Sequence, residues 1–174
     1  MEQSLALEGH NDVTSGESAR AETIGRLFDE HHARLYRLAL RLTWGDDDAR
    51  DLVQECFLRA LSRRIPDDPR IAERWLVRVL VNLCRDRGRC RAVRQAYDRD
   101  ASAETLVPVH DPVVHAAVRA AVLALPVRQR AVIVLHEIEG MKLREVAEVL
   151  GIAAVTARWH LHAALRTLRK ELSS

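Results

Sequence analysis

The stretch LREVAEVLGIAAVTARWHLHAALRTLRKEL, Leu143 to Leu172, decides the fold. A short helical run from Leu143 to Leu150 meets Gly151, and a longer amphipathic run begins a few residues later, which is the spacing of a helix-turn-helix. Leu143, Val146, Ala147 and Leu150 supply the first helix's apolar stripe, and Gly151 is able to close it in the left-handed conformation. Ile152 is placed to cover the angle between the helices. In the second helix Ala157, Leu161, Ala164 and Leu168 recur at helical spacing and are expected inward, leaving Val155, Trp159, His162, Ala163 and Arg166 outward. An outward face with Trp159, His162 and Arg166, flanked by Thr156 and Arg158, has groups suited to base edges and phosphates in a major groove. An ordinary helical hairpin with a solvated face has the same pattern, so the rest of the chain must decide between them.

Aromatic residues are only 4% of the 174, whereas Ala, Leu, Val and Arg are abundant, so the predicted class is all-α. The formal charge of +2 is unevenly placed. Counting Lys, Arg, Asp and Glu gives −3 for residues 1–21, +4 for 22–95, −3 for 96–112 and +4 for 113–174. Two basic blocks joined by an acidic stretch suit a nucleic-acid partner met twice, and the modest total argues against indiscriminate coating of nucleic acid. There is no basic start followed by an apolar run and no stretch of eighteen apolar residues, so no membrane insertion is expected and the predicted location is cytoplasmic. Cys56, Cys84 and Cys90 form no Cys-x-x-Cys pair and have no His completing a ligand set; they read as reduced thiols, with no metal or cofactor site expected.

Residues 1–20 lack periodicity and read as a disordered leader. From Ala21 a stripe of Ile24, Leu27, Phe28, His31, Leu35, Leu38 and Leu42 predicts a helix ending at Thr43-Trp44-Gly45. GDDDARDLVQECFLRALSRR follows, with Asp46 to Asp48 suited to cap a helix and to meet its positive end. Its predicted buried side is Ala49, Leu52, Val53, Cys56, Phe57, Ala60 and Leu61; Asp47, Asp51, Gln54, Glu55 and Leu58 lie nearer the other side. No His or third carboxylate converges on those acids in sequence, so an acidic face that meets water or a basic partner is preferred to a catalytic site.

Ile65 to Ala72, with two prolines in four residues, reads as a loop, and helix is expected to resume at Glu73. Trp75, Leu76, Val79, Leu80 and Leu83 form its apolar side, and Arg78, Asn82, Arg85 and Arg89 stack in one polar stripe opposite. Five arginines between Arg85 and Arg94, Arg91 among them, face one acid, Asp86, and make a phosphate-facing patch; Asn82 in the middle has an amide able to donate to and accept from a base edge. Residues 96–112 lose periodicity and gain acids and prolines, which marks a flexible acidic linker. Beyond it Val113 to Leu125 resumes as helix, Pro126 stands at another helix start, and a run through Val132, Leu135 and Ile138 is broken at Glu139-Gly140. The predicted architecture is therefore two small helical domains, residues 21–95 and 113–172, the second a unit of four helices containing the helix-turn-helix.

From about Ala21 to Leu172 the chain resembles the extracytoplasmic-function branch of the bacterial sigma factors. The resemblance rests on DARDLVQECFLRAL and RWLVRVLVNLCRD in the first domain and on LPVRQRAVIVLHEIEGMKLREVAEVLGIAAVTARWHLHAALRTLR in the second. It implies an initiation factor with core RNA polymerase and promoter DNA as partners, an anti-sigma protein as regulator, and no catalytic residues of its own. Asp51, Gln54, Glu55 and Phe57 match a D-x-x-Q-E-x-F helix whose polar members face polymerase. Asn82 matches the Asn beside a pocket for a flipped base of the minus-10 nontemplate strand, with Arg78, Arg85, Arg89 and Arg91 near the backbone. Thr156, Arg158 and His160 match the segment that enters the minus-35 major groove, with Trp159, His162 and Arg166 on the same helix. The chain departs from the pattern at Ile65, Trp159, His160 and Ala163, where members often have an aromatic, Ser, Arg and Arg. Two alternatives stand beside this reading: a stand-alone helix-turn-helix regulator, which leaves the Asp51 helix unexplained, and a sigma-like mimic that titrates an anti-sigma factor.

Overall fold

The computed structural model describes residues 9–43, 45–97 and 112–173, with side-chain surroundings defined for 18, 20–43, 45–88 and 116–173. Among these residues all regular structure is helical: α1 (Gly9–Thr43), α2 (Asp46–Ser62), α3 (Pro69–Tyr97), α4 (Pro112–Ala124), α5 (Val127–Ile133), α6 (Leu143–Leu150) and α7 (Ala154–Leu172), with a π-helical turn (Val134–Ile138) continuing α5.

Helices α1, α2 and α3 make the first unit. Leu35, Leu38, Ala39 and Leu42 of α1 meet Leu52, Val53, Cys56 and Ala60 of α2 and Leu76, Leu80 and Cys84 of α3 in one buried cluster. Truncating a fully buried leucine such as Leu76 to alanine costs roughly 2–5 kcal/mol at sites of this kind. Burial pushes the thiols of Cys56 and Cys84 up to about 12, so both remain protonated and unreactive in the core.

Several element boundaries differ from the sequence expectation for identifiable reasons. Helix α1 begins at Gly9, so residues 9–20, expected as an irregular leader, are helical; residues 1–8 lie outside the described residues. Extension by one hydrogen bond per residue needs no apolar face once Ile24 and Leu27 anchor the helix, and Arg20 donates to the Arg63 carbonyl. Helix α3 starts at Pro69, four residues before the expected Glu73. Proline is tolerated in a first turn, where its missing N–H has no intrahelical partner, and Asp68 Oδ1 accepts from the N–H groups of Arg70 (2.8 Å) and Ile71 (3.1 Å). At α2 the cap position is Gly45 and makes no side-chain bond; Asp46, Asp47 and Asp48 lie inside the first turn, where they oppose the helix's positive end without capping it. The linker's centre, residues 98–111, lies outside the described residues, and its expected ends are helical at Ala96–Tyr97 and Pro112.

Helices α4 to α7 make the second unit. The helix-turn-helix is closed as the sequence implies: Gly151 has φ +63°, its N–H donates to Glu148 O (3.3 Å), and the Ile152 N–H donates to Ala147 O (3.0 Å). At the other end of α6 the Lys142 N–H donates to Glu145 Oε2 (3.1 Å). Val146, Ala147 and Val149 of α6 and Ala157, Leu161 and Ala164 of α7 are buried. Ala163, expected outward, is buried too, because α4 as well as α5 packs on α7 and widens its covered arc.

The π-helical turn changes which residue faces in. The Glu139 N–H reaches back five residues to Val134 O (2.9 Å), and this wider turn delays each following side chain around the axis. Ile138, expected inward from the helical period, is 47% exposed, while the Glu139 side chain is only 9% exposed and lies against α1. The two units touch along α3, which packs on α5 and α6, and along α1, which meets the π-helical turn; one hydrophobic cluster runs through both.

Candidate polymerase-docking and promoter-binding surfaces

Three surfaces carry the residues singled out from the sequence. The first is a groove between α1 and α2. Phe28 and Leu61, both expected in the core, are exposed, and with Leu58 they leave apolar side chains facing solvent. Phe28 stays against Phe57, with ring centroids 4.9 Å apart, and against His32 at 4.4 Å. Asp51, Gln54, Leu58 and Leu61 stand three or four residues apart, so they share one exposed stripe of α2. Gln54 lines the groove directly. Asp51 sits beyond its end, mostly exposed, 3.5 Å from Arg87 Nη1, which also lies 3.2 Å from Asp48. Glu55 is on the flank, in an i,i+4 pair with Arg59 at 3.0 Å. At the groove's other wall the Tyr36 hydroxyl donates to Asp46, which raises the phenol above its usual range, and Arg50 pairs with the same carboxylate at 2.9 Å. The sequence signal for Phe28 and Leu61 was their position at the margins of their stripes.

The second surface lies on α3. Asn82 is half-buried and Arg85 partly exposed, with Arg85 Nε 3.5 Å from Asp86. Arg78 does not stand free beside them: its Nε donates to Val149 O at 2.9 Å and its Nη2 to Glu148 O, so its guanidinium spans the C-terminal carbonyls of α6. The side chains of Arg89 and Arg91 lie outside the described residues, so the polar stripe is seen only from Arg78 to Arg85.

The third surface is the exposed side of α7. Val155 is 72% and Trp159 62% exposed, and Arg158, His162 and Arg166 are exposed with them. Trp159, His162 and Arg166 line one shallow depression. Thr156 is half-buried. His160 turns its Nδ1 inward, where it has no hydrogen-bond partner, and burial, then the nearby Arg128, lowers its pKa from the usual 6.5. Trp159 packs edge-on against His160, with centroids 5.0 Å apart. The helix thus presents an aromatic ring and two arginines on a rigid support, a composition able to meet both base edges and phosphates.

Among the described residues no group of three or more His, Cys, Asp or Glu converges to hold a metal ion, and no helix is long and apolar enough to cross a membrane.

Comparison with known proteins agrees with this division of the chain. The family model of sigma-70 region 2 matches residues 27–94, and that of sigma-70 region 4 matches residues 115–168. The ECF RNA polymerase sigma factor SigE of Mycolicibacterium smegmatis is 36% identical over 169 aligned residues, covering 91% of this chain and 65% of SigE. SigL of Mycobacterium tuberculosis, also an ECF RNA polymerase sigma factor, is 35% identical over 167 residues, covering 92% of this chain and 94% of SigL. In fold the chain is similar to the sigma factor RpoE of Bartonella quintana, solved in complex with the anti-sigma factor NepR: the TM-score is 0.67 at 20% identity, covering 87% of this chain and 98% of RpoE. With region 2 matched on α1 to α3, region 4 matched on α4 to α7, and a relative aligned over nearly its whole length, the chain belongs to the ECF group of the sigma-70 family.

Proposed function

We propose that the chain directs promoter-specific transcription initiation, docking on core RNA polymerase through the α1/α2 groove and recognising promoter DNA through α3 and α7. The observation that carries this reading is the presence in one chain of two exposed helical stripes of different chemistry. Asp51, Gln54, Leu58 and Leu61 combine polar and apolar groups in the way a protein interface needs, whereas Arg158, Trp159, His162 and Arg166 suit nucleic acid. In this role α7 enters the major groove of the minus-35 element, and Asn82 and the α3 arginines take the nontemplate strand of the minus-10 element. Polymerase supplies the chemistry, and the chain acts in the cytoplasm. A stand-alone regulator has no use for the α1/α2 groove. That groove also suits the apolar face of an anti-sigma helix; the sigma factor RpoE, of similar fold, was solved in complex with the anti-sigma factor NepR, and CnrH, also of similar fold, in complex with the cytosolic domain of CnrY.

Runoff transcription with purified core polymerase on a library of promoter fragments tests the reading, the expected result being transcripts from a defined subset. In the same assay D51A/Q54A and, separately, L58E are expected to reduce core binding while helicity is kept, since exposed positions of this kind usually change stability by only about 0.5 kcal/mol. Unchanged core affinity in both variants refutes the docking assignment.

A further inference from the structure

The exposed side of α7 changes chemistry along its length. Val155 and Trp159, in its first two turns, are the two most exposed large apolar side chains among the described residues, and Ala154 is exposed beside them. They stand four residues apart, so the isopropyl group and the indole adjoin on one face. Trp159 packs edge-on against His160, with ring centroids 5.0 Å apart, which limits the rotamer freedom the indole gives up on meeting a partner. Single apolar side chains on a surface are ordinary, but this pair has a particular setting. Between Ala154 and Leu165 the one arginine or lysine is Arg158, exposed next to Trp159, and α7 has no acid before Glu171. Thr156 is half-buried and His160 turns its Nδ1 inward, so the first two turns present methyl groups, an indole and a single guanidinium on the flank.

In a major groove such a helix end has few ways to tell one base from another. Valine has no hydrogen-bonding group in its side chain, and an indole has one donor and no acceptor. Pressed on the polar edge of guanine, adenine or cytosine, the pair takes donors and acceptors out of water and returns little. Thymine offers the one apolar group of the groove, its C5-methyl. We propose that Val155 and Trp159 read the minus-35 element through C5-methyl groups, selecting thymine over cytosine and accepting 5-methylcytosine, which carries the same methyl on the same ring carbon, as if it were thymine. This rests on the reading of α7 as the helix in the minus-35 major groove. Four residues of helix rise about 6 Å and two base-pair steps about 6.8 Å, so the two side chains reach methyls on base pairs one or two steps apart. Arg158 on the flank holds phosphate, which positions the helix without reading sequence. Methylation of a cytosine at either position then strengthens a promoter instead of blocking it.

The test uses holoenzyme assembled from the full chain and core polymerase, on a promoter that gives a runoff transcript. Each minus-35 thymine, on either strand, is replaced in turn by deoxyuridine, which removes the C5-methyl and keeps every hydrogen-bonding group. Wherever that weakens binding, the base pair is then changed to carry cytosine and, separately, 5-methylcytosine. Promoter affinity is read by competition with a dye-labelled duplex for wild type, W159A and V155S; both residues are exposed, so both variants are expected to keep helicity and core affinity. In wild type, deoxyuridine should weaken binding about three- to fivefold at one or two positions, the effect of one methyl-sized group leaving an apolar contact, and 5-methylcytosine should bind more tightly than cytosine there by about the same factor. At each such position one of the two variants should abolish the difference, which separates a methyl contact from altered base stacking, since stacking in the duplex is the same for every protein. No loss with deoxyuridine at any position, an element without thymine included, overturns the proposal, as does a loss that persists undiminished in both variants. Weaker core binding in W159A or V155S with promoter discrimination unchanged makes the pair a protein contact and overturns it too. Equal affinity of wild type for matched and scrambled minus-35 elements marks failure of the α7 reading itself, whereas preference for the matched element without a methyl effect marks failure of the methyl readout alone.

Discussion

Arg130 gives the sharpest test of how the two units are held. Its Nη1 donates to Leu42 O at 2.7 Å, at the C-terminal end of α1, and its Nη2 donates to Leu123 O (2.6 Å) and Leu125 O (3.2 Å), at the end of α4. One guanidinium thus closes two helix ends in different units, with its pKa lowered because burial disfavours the charge. R130M keeps the length of the side chain and removes all three bonds. A hydrogen bond from a charged donor contributes about 1.5–3 kcal/mol, so three give a gross loss of roughly 5–9 kcal/mol. Relief of the buried charge and access of water to the freed carbonyls offset much of this, leaving an expected net loss of about 2–4 kcal/mol. In urea unfolding followed by circular dichroism, with a slope of about 2 kcal/mol per molar, the midpoint should fall by about 1–2 M. R130K should fall between, because an ammonium cannot span oxygens on two helices as a planar fork can. A midpoint shift under about 0.5 M in R130M refutes the reasoning, since the three short contacts would then hold nothing together.

Two further outcomes follow from α7. R158A should lower the salt dependence of binding to a minus-35 duplex by about one phosphate's worth, and W159A should leave that slope nearly unchanged while weakening binding to the preferred sequence; titrations at several salt concentrations on matched and scrambled duplexes separate the two. For His160 the sign is fixed by its lowered pKa: the unfolded chain takes up the proton first as pH falls, so stability is fully present above about 6.5 and is lost progressively below it as pH approaches the folded value. Urea midpoints of wild type and H160Q between neutral and acidic pH check this, and a wild-type curve no steeper than that of H160Q counts against it.

The parts of the fold that follow from periodicity were legible in the sequence because one side chain answers to one cause. Leu35, Leu38, Leu52, Val53, Leu76 and Leu80 repeat at helical spacing and are all buried, and Gly151 takes the positive φ that its place after α6 implies. Phe28 and Leu61 break the rule because a period reports which side of a helix is apolar, not how much of that side a neighbour covers. Their exposure is what turns the α1/α2 contact into a groove. Arg78 was legible as part of a polar stripe with Asn82, Arg85 and Arg89, but its partners lie about seventy residues away in α6, a separation at which spacing has nothing to say.

Glu139 shows the same limit in its sharpest form. A helix of 3.6 residues per turn running from Val132 through Leu135 brings Ile138 inward and leaves Glu139 at the break. One five-residue hydrogen bond, from the Glu139 N–H to Val134 O, exchanges the two. It leaves an isoleucine in solvent and a carboxylate nearly buried, an arrangement unfavourable on both counts unless cations meet the acid. Arg34 and Arg41 do so from α1, which means the turn is stabilised by contact with the other unit. The π-helical turn and the contact between the two units are therefore joined at one residue: the turn brings the Glu139 carboxylate to α1, and Arg34 and Arg41 meet it there.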